Sequence, residues 1–100
     1  IKLLDLKNYF NKNVTCVLLI DRIKEITTKD NLPMAFISCS DEELSVDVIV
    51  FPKVYENLPN LKKGDIIKVE GKVERRNDYS IIASSIVNIR EILWKKPKQL

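Results

Sequence analysis

Phe36, Lys24, Lys29, Arg75, Arg76 and Asn77 are the residues of this sequence whose chemistry converges on one kind of ligand. An aromatic face can stack on a nucleobase, worth about 1–3 kcal/mol per base, while lysines and arginines track a phosphate backbone. Such a set would hold single-stranded nucleic acid. Taken alone, each cation reads as a solvated surface residue, so the set has meaning only if the fold brings its members to one face. Lys95, Lys96 and Lys98 read equally as phosphate contacts or as a solvated linker.

Other chemistries find little support. Histidine is absent, which removes the commonest metal ligand and the commonest general base. Ser38, Ser40, Ser84 and Ser85 have no base beside them in sequence to activate a hydroxyl. Two glycines cannot build a phosphate-cradling loop. The consecutive acids Asp41–Glu42–Glu43 lack the spaced oxygen ligands of a calcium loop and read as a charged turn. Cys16 and Cys39 lie within apolar strand patterns, which suits reduced core thiols of a cytosolic protein. The segment is therefore expected to be non-catalytic, with no cofactor, no metal and no small-molecule substrate.

The elements that must position these residues are mostly strands. Residues 1–12 place Leu3, Leu6 and Phe10 at helical spacing, a short helix or linker helix. From Val14 a long strand runs to about Thr28, and one bulge near Asp21–Arg22 is expected to bring Ile20, Ile23 and Ile26 to a common face. Lys29–Asp30–Asn31 is a turn in which Asn31 can take a left-handed conformation. Met34–Ser40 is the second strand, with Ala35, Ile37 and Cys39 inward and Phe36 outward; a one-residue slip would exchange these faces. Leu44–Phe51 is the third, with Val46, Val48 and Val50 on one face. Phe51, at its end, is expected as a plug beneath the following helix. That helix is read over the ten residues from Pro52, with Val54, Tyr55 and Leu58 inward. Asp65–Arg76 is the fourth strand, with Ile67, Val69, Gly71 and Val73 inward; Asn77–Asp78 is a tight turn and Tyr79–Ile89 the fifth strand. Trp94, beyond it, is expected to pack on the barrel or on a neighbouring domain.

Three strands, a helix and two strands is the order of the oligonucleotide-binding (OB) fold, an all-β, five-stranded Greek-key barrel with one short helix between strands 3 and 4. SH3-like barrels compete but lack a helix of about ten residues at that point. The expected organisation is an N-terminal extension at 1–13, the barrel at 14–90 and a basic tail at 91–100. No apolar stretch is long enough to span a membrane as a helix. The start at Ile1, with no signal-like segment, reads as a piece excised from a larger protein.

Met34–Ala35–Phe36, VIVFPKVYE at 48–56, KKGDIIKVEGKVERR at 62–76 and IIASSI at 81–86, in that order, resemble the barrel of bacterial replicative DNA polymerase III alpha subunits. A weaker similarity links the chain to the anticodon-binding barrel of class II aminoacyl-tRNA synthetases. The first resemblance implies a bacterial, cytoplasmic parent that is a DNA-directed DNA polymerase, with its metal-binding palm outside this sequence. It implies that the barrel holds single-stranded DNA near the template path, or helps dock other replicase domains or subunits through Ile49, Phe51 and Trp94. Where that family often has basic residues on the first strand, this chain has Glu25 and Thr27, which implies weaker attraction for phosphate.

Charge narrows the question further. The chain carries +3, but its last ten residues hold three lysines against one glutamate, leaving 14 basic and 13 acidic groups on residues 1–90. A polyanion would have to be held by a local patch, because the barrel has almost no net charge to attract it from a distance.

Overall fold

The computed structural model describes residues 1–89. Strand β1 (Asn13–Thr27) is followed by β2 (Pro33–Ser40), β3 (Ser45–Val50), the short helix α1 (Pro52–Tyr55), β4 (Ile66–Arg75) and β5 (Tyr79–Asn88). The strands close into a barrel in the order β1-β2-β3-β5-β4, antiparallel except where β3 runs parallel to β5. That is the five-stranded OB barrel expected from the element order, with its helix between the third and fourth strands.

Strict period-two alternation builds the core. On β1, Val14, Cys16, Leu18 and Ile20 are buried while the residues between them are exposed. Ala35, Ile37 and Cys39 of β2, Val46, Val48 and Val50 of β3, and Ile67, Val69 and Val73 of β4 meet them inside the barrel. Both cysteines are free thiols in this core. Burial raises the pKa of each, and that of Cys39 is pushed up to about 12 with help from the carboxylates of Asp21 and Asp47. Neither thiol is a ready nucleophile.

Two extra residues interrupt the alternation. The β1–β2 register shifts between Ile20 and Arg22, at the expected bulge, so Asp21 has no partner in the ladder. The β4–β5 register shifts between Glu70 and Gly71, where Ser84 is the extra residue on β5 and its hydroxyl donates to the Glu70 carbonyl at 3.0 Å. Beside this second bulge the strands approach so closely that a Cβ on Gly71 would stand 2.3 Å from the Ile82 carbonyl oxygen. Glycine is required there by backbone contact.

Several expectations change. One bulge brings Ile20 and Ile23 to the same face, but Ile26, an odd three residues further on, pairs with Met34 on the opposite face. The helix spans four residues instead of about ten, because Asn57–Leu61 continues as an irregular connection. Val54, Tyr55 and Leu58 nonetheless pack against the core as expected. Phe51 is 45% exposed, so it does not plug the helix; it caps the extended entry to α1. The N-terminal segment is a 3₁₀ helix, Leu3–Tyr9, whose three-residue period buries Leu3 and Leu6 and leaves Phe10 exposed.

Polar side chains hold the connections between these elements. The Asp65 carboxylate is buried and accepts from the Lys62 N–H at 3.0 Å and from the Asn88 side-chain amide at 3.1 Å. Asn88 also donates to the Asn60 carbonyl at 3.3 Å. Together they tie the α1–β4 connection to the end of β5. Asp41 accepts from the N–H groups of Leu44, Glu43 and Leu3, and these bonds, that of Leu44 first, hold its carboxyl below its ordinary pKa. Its oxygens thus fasten the β2–β3 turn and the 3₁₀ helix.

Gly71→Ala is expected to lower stability by about 1–3 kcal/mol through overpacking against the β5 backbone. Equilibrium urea unfolding measures this; an unchanged midpoint would contradict the close approach.

Candidate nucleic-acid interface

Which side chains share the outer surface is decided by register. Before the bulge, even-numbered residues of β1 face the core; Asp21 reverses this, so Ile23 turns inward and Lys24 outward. Lys24 then pairs with Phe36, Phe36 with Ile49, Ile49 with Ile82 and Ile82 with Lys72. These five form one row across all five strands, a central apolar strip with a lysine at each end. Adjacent strands lie about 4.8 Å apart, so the row follows the curved wall of the closed barrel for roughly 19 Å. Phe36, Ile49 and Ile82 are half-buried and the two lysines exposed.

The rows on either side differ in chemistry. Towards the β4–β5 turn (residues 76–78) lie Arg22, Ser38, Asp47, Ser80 and Glu74, where the Ser38 hydroxyl donates to Asp47 at 3.4 Å. Towards the β1–β2 turn (residues 28–32) lie Ile26 and Met34. The strip around Phe36 is therefore bordered on one side by a polar row that carries Arg22 as well as the carboxylates of Asp47 and Glu74, and on the other by apolar groups. A polyanion is favoured along the lysine-ended row and disfavoured at Asp47 and Glu74.

Of the six residues singled out in the sequence, Lys24 and Phe36 are direct cross-strand neighbours. Lys29 is exposed in the β1–β2 turn, where Asn31 takes the left-handed φ of 67° anticipated for it. Arg75, Arg76 and Asn77 are exposed at the other turn, which leaves the opposite side of the Phe36 row. The Arg75 guanidinium lies 5.4 Å from the centre of the Tyr79 ring, a cation–π contact that holds it at the barrel mouth. The six thus form two groups flanking one strip, with the carboxylates of Asp47 and Glu74 between Phe36 and the arginines.

Lys72, Ile49 and Ile82 complete the row; Ile49 was singled out as an outer docking residue and not for nucleic acid, and Lys72 and Ile82 were not among the sequence candidates. Their outward orientation follows from alternation on β4 and on its neighbours. Their alignment with Phe36 depends on the parallel β3–β5 pairing, which leaves no local signal. Glu25, read as a loss of positive charge, lies away from this strip: it pairs with Ala35 and accepts the Tyr55 hydroxyl hydrogen bond, tying α1 to β1. That bond, with some burial, raises the Tyr55 phenol above its ordinary pKa.

Residues 17–89 match the family model described as the OB-fold nucleic acid binding domain. The chain belongs to that family. The OB domain is also 32% identical over 79 residues to DNA polymerase III subunit alpha of Bacillus subtilis (strain 168), covering 78% of this chain and 7% of that protein. It is 31% identical over 85 residues to DNA polymerase III subunit alpha of Halalkalibacterium halodurans, covering 82% of this chain and 8% of that one. The chain thus spans less than a tenth of the length of these relatives, and the resemblance read from its motifs holds over most of the barrel. Among the described residues of this OB domain, no helix is long and apolar enough to cross a membrane.

The two faces of β2 should respond oppositely to truncation. Ile37→Ala is expected to cost about 2–5 kcal/mol as a core deletion, and Phe36→Ala clearly less. Equal losses in chemical denaturation would place Phe36 in the core and remove the interface.

Proposed function

We propose that this OB domain is a non-catalytic module that holds single-stranded DNA within a bacterial DNA polymerase III alpha subunit, positioning template strand during replication in the cytoplasm. On this reading polymerase chemistry belongs to parts of the parent outside this segment. The observation that carries the proposal is the row Lys24–Phe36–Ile49–Ile82–Lys72, an apolar strip with a base-stacking ring next to Lys24 and a cation at each end. Similarity to two alpha subunits supports this choice of parent.

Bases would stack on Phe36 and lie over Ile49 and Ile82, while phosphates meet Lys24 and Lys72. Lys29 would extend the path at one turn. Arg75, Arg76 and Asn77 would meet the strand only where it passes the carboxylate row, so their contribution should be smaller than that of the two row lysines. Because the barrel itself is almost neutral, affinity should be modest and carried by these local contacts.

Fluorescence anisotropy with a labelled oligothymidylate at low salt tests the reading. Phe36→Ala is expected to weaken binding roughly 5- to 150-fold, the equivalent of one lost stacking contact. Lys24→Ala and Lys72→Ala should each reduce the slope of log K against log salt by about 0.7. Absence of binding at low salt, or binding indifferent to Phe36, contradicts the proposal. Preference for a structured RNA loop over the DNA strand would instead favour an anticodon-type role, since such loops present splayed bases and 2′-hydroxyls.

A further inference from the structure

Continued one step beyond the Ala35–Val50 pair, the β2–β3 register sets Phe51 opposite Met34 and diagonal to Phe36. Phe51 keeps an extended backbone, with φ −71° and ψ 161°, so strand alternation still applies to it: Val50 is fully buried and Phe51 turns out, 45% exposed. That conformation is held from both sides. The ring of Pro52 excludes the helical region for the residue before it, and the Phe51 carbonyl accepts the N–H groups of Val54 at 3.0 Å and Tyr55 at 2.9 Å. An exposed aromatic side chain on a fixed backbone suits a stacking platform, because little freedom remains to be lost on binding. Between the two rings lies Met34, which pairs with Ile26 on its other side. Met34 is only 7% exposed although it shares the outer face of Phe36 and stands outside the core cluster. The floor from Phe36 to Phe51 is therefore apolar and closed, unlike the row of Asp47 and Glu74 on the far side of Phe36.

Resting on the nucleic-acid reading above, we propose that Phe51 is a second base platform, so that two neighbouring bases of one strand stack separately, one on Phe36 and the next on Phe51, across Met34. Diagonal positions on adjacent strands have Cβ atoms about 7 Å apart, roughly twice the 3.4 Å step of stacked bases. Bases seated on rings at that spacing are no longer stacked on each other, an arrangement that an unpaired strand takes readily and a stacked duplex does not. The strand then leaves Phe36 on its apolar side, away from the carboxylates. Charge does not select this ligand: the exposed Lys29 and Lys53, near the two ends of the Ile26–Met34–Phe51 row, are offset by the exposed Asp30 and Glu56. The two rings select it. Phe51 is thereby assigned to bases, where the sequence pointed to protein docking together with Ile49 and Trp94, the last of which lies outside the described residues.

Anisotropy titration of the 100-residue chain with labelled oligothymidylate at low salt tests this, with circular dichroism to show that each variant stays folded. Phe51→Ala is expected to weaken binding about 5- to 150-fold, the range of one lost stacking contact. Phe51→Leu, which keeps an apolar side chain but no π face, should lose nearly as much, and Phe51→Tyr should bind like the unmodified chain. The losses from Phe36→Ala and Phe51→Ala should multiply in the double variant, because the rings serve different bases. Unchanged binding in Phe51→Ala beside weakened binding in Phe36→Ala overturns the second platform and leaves the first reading standing. Equal binding by Phe51→Leu and Phe51→Tyr overturns it too, since any apolar side chain would then serve. So does a double variant no weaker than the weaker of the two single ones, which would put both rings on one base. No binding by the unmodified chain overturns both readings.

Discussion

Asp21 is one residue more than the β1–β2 ladder can pair, and the outer surface of the barrel depends on that surplus. A strand presents alternate residues to alternate faces, so an unpaired residue exchanges the faces of everything beyond it. Without it, the positions of Lys24 and Ile23 would be reversed, placing an ammonium where the core meets β2 and an isoleucine beside Phe36. Burying an unpaired lysine is costly enough to select the bulged register on its own. Closure of the barrel then transmits that register round the ring. Each strand is paired on both sides, so Phe36, Ile49, Ile82 and Lys72 cannot shift independently.

The second surplus residue, Ser84, serves β5 in the same way. It lets Ile81 and Ala83 before it and Ile86 and Asn88 after it all face inward, which brings the Asn88 amide to the buried Asp65 carboxylate. A buried carboxylate needs such partners, and the Lys62 N–H together with the Asn88 amide supplies them. The end of the barrel where β5 finishes is therefore held by a polar contact that its bulge makes possible, while the walls are held by aliphatic alternation. Gly71 is where the two demands meet: the bulge brings β5 so near β4 that no side chain fits.

Much of this was legible in the chain before any coordinates. Alternation named the inner residues of β2, β3 and β4, the run from Val14 demanded a bulge at Asp21–Arg22, and Asn31 signalled its left-handed turn. What stayed hidden was set by distance along the chain. The Phe36 row is assembled from five strands, one pair of them parallel, and no local pattern reports such pairing. Lys72 and Ile82 were therefore missed, and Arg75–Asn77 were grouped with Phe36 although the carboxylates of Asp47 and Glu74 lie between. Phe51 was misjudged for a related reason: Pro52 announced a helix, but its length depended on contacts further along the chain. Glu25 looked like lost attraction for phosphate because charge was counted without knowing which side of the strand it occupied.

The near balance of charge gives this geometry its importance. A strongly basic domain would bind polyanions through its general field; on the proposed reading, attraction here comes from two lysines placed at the ends of one apolar row. The most direct measurement is a backbone amide chemical-shift map of the labelled chain during titration with a short oligothymidylate at low salt. Shifts should be concentrated at Lys24, Phe36, Ile49, Ile82 and Lys72, extend to Lys29, be smaller at Arg75–Asn77, and spare Val17, Leu19 and Ile66. Shifts centred on the opposite face, or on the arginine turn with the Phe36 row unmoved, would contradict the account.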